Sequence, residues 1–303
     1  MSTERSAREL VRFLLRRPLV PAAVEPTRRH ATGADFDTSF ARREGVRRVR
    51  AVALDAAIVP LVERIARPTV RGAEILDALE PPVIVVANHQ SHLDTPLVLS
   101  ILPRGLRHRT VVGAGADFFF DRRTKGYLSA ALLGAIPIER TRASRSSAEL
   151  ALELVEKGWS LVLFPEGGRT PDGLEQELKA GAAQIAIKSG RPVVPMFIDG
   201  TYEIYGKQST RIHPGTTKVI VGRPLAPIEG ERPATLQGRI REALEVLGAE
   251  AASDFYAARL EPGRVRFPAP ERGWIEAWRR QAHRFPAKEG SGWPRLFGSR
   301  PER

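Results

Sequence analysis

The chain has 303 residues, 47 Lys and Arg against 35 Asp and Glu, a net charge of +12 and no cysteine, with a pI near 10.7. Its apolar share of 42% excludes disorder throughout, and its length fits one large domain or two modest ones. Without cysteine there is no disulfide scaffold, thiolate zinc site, iron–sulfur cluster or cysteine nucleophile.

So basic a chain is drawn to nucleic acid, to an anionic membrane surface or to a phosphorylated substrate, and composition does not choose among them. Residues 1–50 hold 12 cations and six anions, half of the whole excess. Arg5, Arg8, Arg12 and Arg16 recur at helical spacing opposite Leu10, Val11, Phe13, Leu14 and Leu15. Such a helix lies in a membrane interface or packs on its own domain with a solvated cationic face. There is no h-region with a cleavage site for secretion, and no run of about 18 apolar residues to span a bilayer. The expectation is a cytoplasmic protein, peripherally associated with the cytoplasmic membrane.

A second helical stretch runs from about Gly45 to Ala66, with Pro60 predicted to kink it. From about residue 72, short apolar runs alternate with helical patterns, the signature of an α/β fold. Predicted strands are Val83–Ala87, Thr110–Gly113, Ala135–Ile138, Leu161–Phe164, Val193–Ile198 and Lys218–Val221. Predicted helices cover about 94–102, 123–133, 145–157 and 175–189, with Gly158 and Gly190 as C-terminal glycines. Helices follow at Pro233–Leu247, Ala251–Leu260 and Gly273–His283, then a tail rich in Pro, Gly and Arg. Trp274, Trp278 and Trp293 with Arg279, Arg280 and Arg284 read as an interfacial belt or as a helix pinned to the core. The resulting division is 1–70, a basic helical region; 71–228, an α/β core; and 229–303, a helical extension and tail.

The chemistry concentrates where the strand Val83–Ala87 ends in Asn88-His89-Gln90-Ser91-His92-Leu93-Asp94. An imidazole at the mouth of a sheet, with a carboxylate at the next helix, suits general-base removal of a hydroxyl proton. Ser91-x-x-Asp94 also reads as a capping box. His89, His92 and Asp94 as metal ligands lack a third strong ligand motif, so no metal is expected. Further on, Glu166, Gly167, Gly168 and Arg169 form a glycine-rich loop after a strand, where amides and a guanidinium can grip an anion. Arg140 follows the strand Ala135–Ile138 and is expected at the same edge. Phe118-Phe119-Phe120 sits in a loop, either meeting the bilayer or plugging the core.

Together these blocks resemble the glycerolipid acyltransferases, the family of lysophosphatidic acid acyltransferases and their bacterial relatives. Asn88, His89 and Asp94 match the Asn-His-x4-Asp hallmark, and Gly134-Ala-Ile-Pro-Ile-Glu-Arg140 resembles the second block. Leu163-Phe-Pro-Glu-Gly-Gly-Arg-Thr170 resembles the third, Phe-Pro-Glu-Gly-Thr-Arg-Ser, with Gly168 for Thr and Thr170 for Ser. Leu178-Lys-Ala-Gly181 and Pro192-Val-Val-Pro195 resemble the remaining elements, so the likeness spans about residues 72–225.

The resemblance implies a mixed, largely parallel central sheet flanked by helices, with N-terminal membrane-contacting helices and a C-terminal helical extension. It also implies an O-acyltransferase that moves a fatty acyl chain from acyl-CoA or acyl carrier protein, as co-substrate and with no cofactor, to a lysophospholipid hydroxyl. His89 and Asp94 become the catalytic pair. Arg140, Glu166, Gly167, Gly168, Arg169, Thr170 and Lys179 become substrate-binding residues, with Asn88 and Pro195 in support. A glycolipid or other lipid alcohol as acceptor, thioester hydrolysis, and a non-catalytic membrane-binding protein remain as alternatives. No nucleic-acid-binding motif or aromatic-interleaved basic stretch is present, so nucleic acid is not an expected partner.

Overall fold

The computed structural model describes residues 32–139, 145–170, 176–253 and 255. The N-terminal basic helix, Arg140 and the tryptophan-bearing tail lie outside the described residues.

A seven-stranded sheet forms the centre: β1 (Pro68–Arg71), β2 (Ile84–Ala87), β3 (Thr110–Gly115), β4 (Ala135–Ile138), β5 (Ser160–Leu163), β6 (Val193–Asp199) and β7 (Thr217–Val221). The order is β1-β7-β6-β2-β5-β3-β4. Only the β6–β7 pair is antiparallel; the other pairs are parallel. The six predicted strands are all present. β1 went unread because it is a four-residue edge strand that starts on Pro68 and alternates half-buried with exposed positions, too short for periodicity to register.

Helices cover both faces, which is why β2 and β5 are wholly buried and read as unbroken apolar runs. Side chains alternate along a strand. Val85 and Ala87 of β2 therefore pack with Leu97 and Val98 of the helix Asp94–Ile101 and with Val62 of the helix Val59–Ala66. Ile84 and Val86 pack on the other face with Leu154, Val155, Ala183, Leu236 and Ile240.

Pro60 acts on the long N-terminal helix as a widening. The helix Glu44–Ala53 passes through a π-turn at Leu54–Ile58 into Val59–Ala66, and the Val59 N–H bonds the Leu54 carbonyl five residues back. Pro60 has no N–H to give the carbonyl four residues before it, and the ladder shifts by one residue just ahead of the ring.

Two predicted helices change length. Of the helix predicted at about 175–189, residues 176–180 are not helical and the helix is Gly181–Ser189, because the chain just before it is drawn to the glycine loop by the Lys179 N–H, which donates to the Pro165 carbonyl at 2.8 Å. Gly190 ends that helix in the left-handed region. The helix predicted at Pro233–Leu247 runs on to Ala252, as Pro233–Ala252; of the next predicted helix, Ala251–Leu260, residue 254 and residues 256–260 lie outside the described residues. Leu247 and Ala251 are packed against Phe197 and Ile220 of the sheet.

One side chain joins the two strands that matter most for the site. Asn88, 2% exposed, donates from Nδ2 to the Ile198 carbonyl at 2.8 Å and accepts the Ile198 N–H on Oδ1 at 2.7 Å. It continues the β2–β6 ladder one residue past Ala87. Replacing Asn88 by Ala leaves both backbone groups of Ile198 buried without those partners. The expected loss is about 2–4 kcal/mol of unfolding free energy, read by chemical denaturation; a loss under about 1 kcal/mol would show that the clamp is dispensable.

Candidate active site

The carboxyl ends of β2, β3, β5 and β6 meet at one edge, with β5 and β6 on either side of β2. His89 comes off β2 through Asn88 and is held from several sides. Its N–H donates to Glu166 Oε1 at 2.9 Å, and its carbonyl accepts the Thr170 N–H at 2.9 Å. Its ring stacks on Phe164, with centroids 4.2 Å apart and planes 22° apart.

Nδ1 of His89 lies 2.9 Å from Asp94 Oδ2. That oxygen already accepts the Gln90 and Ser91 amides, each at 2.7 Å. Nδ1 is therefore the donor, and the neutral ring keeps its lone pair on Nε2. Nε2 has no hydrogen-bond partner among the described residues. The other Asp94 oxygen, Oδ1, accepts from Thr201 Oγ1 at 2.6 Å. Asp94 is fully buried and opens the helix Asp94–Ile101, so it orients the imidazole and closes the preceding loop together. Of the expected capping box, the Asp94 half is made, with Oδ2 accepting the Ser91 N–H. The reciprocal Ser91 bond differs, because Ser91 Oγ donates to the Tyr205 carbonyl and accepts the Leu93 N–H.

The cleft that His89 enters is about 70 Å³ and is lined by Val112, Gly113, Leu133, Ile138, Leu163 and Phe118, with Gly167, Gly168 and Arg169 at one side. Gly113 has no room for a side chain, since a Cβ there would meet Leu163 Cδ2 at 2.5 Å. Gly167 is in the left-handed region at φ 72°, and a Cβ on it would lie 2.6 Å from Lys179 Nζ. Lys179, exposed at its own position, thus reaches across the glycine loop.

Arg169 Nη1 contacts His92 Nε2, and its guanidinium lies 5.1 Å from the Phe118 ring centre. Lys125 Nζ lies 3.8 Å from the same ring centre. The His92 ring is packed by Tyr205 and Phe118. Burial, then the positive charge of Arg169 and the neighbouring His89, push the His92 pKa down to about 4. A neutral His92 can accept from Arg169, and a charged one cannot.

Several expected binding residues turn inward. Glu166 is 5% exposed and Thr170 is fully buried; the first holds the His89 amide and the second its carbonyl, so both act beneath the histidine. Pro195 lies within β6, its carbonyl accepting the Gly222 N–H, and belongs to the sheet. The aromatic triplet splits. Phe120 is core, packed with Phe36, whereas Phe118 and Phe119 line the cleft. Thr201, Phe164, Lys125 and Tyr205 were not singled out from the sequence. Among the described residues, no three His, Asp or Glu side chains group closely enough to hold a metal ion.

Fold and site together define an α/β protein with a histidine–carboxylate pair over the carboxyl edge of a mostly parallel sheet. Residues 67–199 match the family model described as Acyltransferase. The chloroplastic 1-acyl-sn-glycerol-3-phosphate acyltransferase BAT2 of Brassica napus is 34% identical over 159 residues, 52% of this chain and 44% of that protein. The human 1-acyl-sn-glycerol-3-phosphate acyltransferase alpha is 29% identical over 62% of this chain and 66% of its own. The crystal structure of the 1-acyl-sn-glycerophosphate acyltransferase PlsC from Thermotoga maritima superposes with a TM-score of 0.55 at 25% identity, covering 71% of this chain and 86% of that one. The chain is thus similar to the glycerolipid acyltransferases, and it spans less than half the length of the plant relative.

The depressed His92 pKa has a consequence for stability. The unfolded chain takes up the His92 proton near pH 6.5 and the folded one only near 4, so His92 makes stability fall as the pH drops through that window. His92→Gln is expected to flatten the slope of unfolding free energy between pH 6.5 and 4, measured by denaturant titration at several pH values. An unchanged slope would mean that His92 titrates normally.

Proposed function

We propose that the protein is an O-acyltransferase that moves a fatty acyl group from a thioester, acyl-CoA or acyl carrier protein, to a hydroxyl of a lysophospholipid such as 1-acylglycerol-3-phosphate. The observation that carries this reading is the His89 ring, bonded to Asp94 through Nδ1 and lining an apolar cleft. The names of the relatives support the acceptor.

In this reading Nε2 takes the proton of the acceptor hydroxyl as its oxygen attacks the thioester carbonyl carbon. Asp94 holds the tautomer and steadies the imidazolium that forms. The tetrahedral intermediate then collapses with cleavage of the carbon–sulfur bond, and the thiol leaves with the proton from Nε2. The chain's own residues supply this chemistry without a resident cofactor. A cleft of about 70 Å³ is far below the roughly 300–1,000 Å³ that encloses a whole ligand, so it suits the reacting carbonyl and the first carbons of the chain. Arg169 and Lys179 stand beside the glycine loop for the acceptor's phosphate, with Arg140, outside the described residues, assigned there by the family motif alone.

Peripheral membrane association fits the surface. Among the described residues no helix is long and apolar enough to cross a membrane. Val49, Val52, Leu61 and Leu128 stand exposed on helices, and Arg48 is exposed beside the first of them, a composition suited to an anionic interface.

His89→Ala is expected to lower transfer at least about 1,000-fold while the chain still folds, as read by circular dichroism, with transfer assayed by mass spectrometry using labelled acyl-CoA and a panel of lyso-lipids. Retained activity would remove His89 as the base. Arg169→Ala should raise KM for a phosphorylated acceptor more than for a phosphate-free alcohol, and equal effects would remove the phosphate assignment. Val49→Asp with Val52→Asp should weaken co-sedimentation with anionic vesicles; unchanged binding would move the membrane contact elsewhere.

A further inference from the structure

We infer that Thr201 is a positioning residue for the reaction, acting through Asp94. The inference rests on the proposed chemistry at His89. Thr201 lies two residues past the segment matched by the family model and outside every motif block of the sequence. It is 107 positions from Asp94 in the chain and yet donates to Asp94 Oδ1 at 2.6 Å, with no exposure of its own.

The geometry that brings it there is specific. Asn88 pins Ile198 to the end of β2, and β6 ends at Asp199. Gly200 then turns the chain at φ +89°, where a Cβ would lie 2.7 Å from the Thr216 carbonyl; only glycine makes this turn without strain. The turn delivers Thr201 as the first residue of the short helix Thr201–Tyr205. The other end of that helix holds the same loop, because the Tyr205 carbonyl accepts from Ser91 Oγ at 2.7 Å and from the His92 N–H at 3.2 Å. One helix therefore grips the histidine loop at both ends, through the carboxylate and through the backbone.

The consequence for catalysis follows from the Asp94 hydrogen bonds. Oδ2 serves the imidazole and two amides, which fix its place but leave the carboxylate free to pivot about them. Thr201 fixes the second oxygen and with it the plane of the carboxylate, and so the direction in which Oδ2 meets Nδ1. Without that donor the imidazole partner is still present but less well aimed, and the Nδ1–H tautomer loses part of its advantage. Glu166, His92 and Arg169 keep their own contacts with the loop and do not reach Oδ1.

The test compares Thr201→Val, which keeps the shape and removes the hydroxyl, with Thr201→Ser, which keeps the hydroxyl. In Thr201→Val, kcat is expected to fall at least about ten-fold while KM for donor and acceptor stays within about two-fold, the pattern of a lost transition-state interaction. Thr201→Ser should return kcat to within about three-fold of the unsubstituted protein. Nitrogen-15 NMR of the His89 ring should show a larger Nε2–H fraction in Thr201→Val than in the unsubstituted protein. Unchanged kcat and unchanged ring resonances in Thr201→Val, or a serine variant no better than valine, would overturn the inference. If Thr201→Val does not fold, Thr201→Cys replaces it. Its weaker donor should give a kcat below that of serine, and equality of the two would overturn the inference as well. Absence of any acyl transfer by the unsubstituted protein would remove the function proposed for His89 but leave the NMR comparison to decide the positioning role.

Discussion

The site depends on one buried charge. A carboxylate with no exposure to water is costly unless its oxygens are fully served by donors, and Asp94 is served by four: two amides of its own loop, an imidazole and the Thr201 hydroxyl. Two of these donors are local and come with the turn. The other two belong to the histidine and to a helix beyond β6, so the loop reaches this arrangement only when the sheet is correctly assembled. Folding and the placement of His89 are in this sense one event.

A second carboxylate works on the same histidine from the opposite flank. Glu166, delivered by the loop after β5, accepts the His89 N–H, while Asp94 takes the ring. Because β5 and β6 lie on either side of β2, support arrives from both neighbours of the strand that carries the histidine. This is the physical content of a site at the carboxyl edge of a parallel sheet. The central strand offers the side chain, and each adjoining connection contributes a brace. The backbone of His89 is bonded at its N–H and its carbonyl, and its ring is stacked on Phe164, so the ring has little freedom apart from the direction set by Asp94.

What the sequence disclosed divides along the same line. His89 and Asp94 are five residues apart, and local patterning sufficed to place one at a strand end and the other at a helix start. The strands β2 and β5 were legible because burial on both faces makes them continuous apolar runs, and β3, β4, β6 and β7 because burial at most of their positions leaves apolar runs nearly as clear. Thr201 was not legible, since only the β2–β6 register brings it beside Asp94, and a lone Thr after Gly200 carries no mark of that pairing. Glu166 was found as a residue but not as a direction. Its side chain accepts the N–H of His89, 77 residues away in the chain, a pairing that the loop's own sequence does not carry. The triplet Phe118–Phe120 shows the same limit, with one ring in the core and two on the cleft.

The charge at the mouth of the cleft can now be placed more closely than the net +12 allowed. Phe118 has two cations against its ring, Arg169 and Lys125, the latter also paired with Asp121, and it lines the apolar cleft. One ring thus marks the boundary between a wall of Val112, Leu133, Ile138 and Leu163 and a cationic rim. His92 keeps that rim positive without adding to it. Held neutral by burial and by Arg169 itself, it touches the guanidinium as a neutral partner, where a carboxylate in its place would cancel the charge. The apolar wall, Phe118 and His89 line one cleft, with Arg169 also on its lining. The field of the net charge as a whole is long-ranged and screened by salt. The contacts of Arg169 with His92 and with the Phe118 ring are short-ranged instead, and buried or partly buried charges are screened much less.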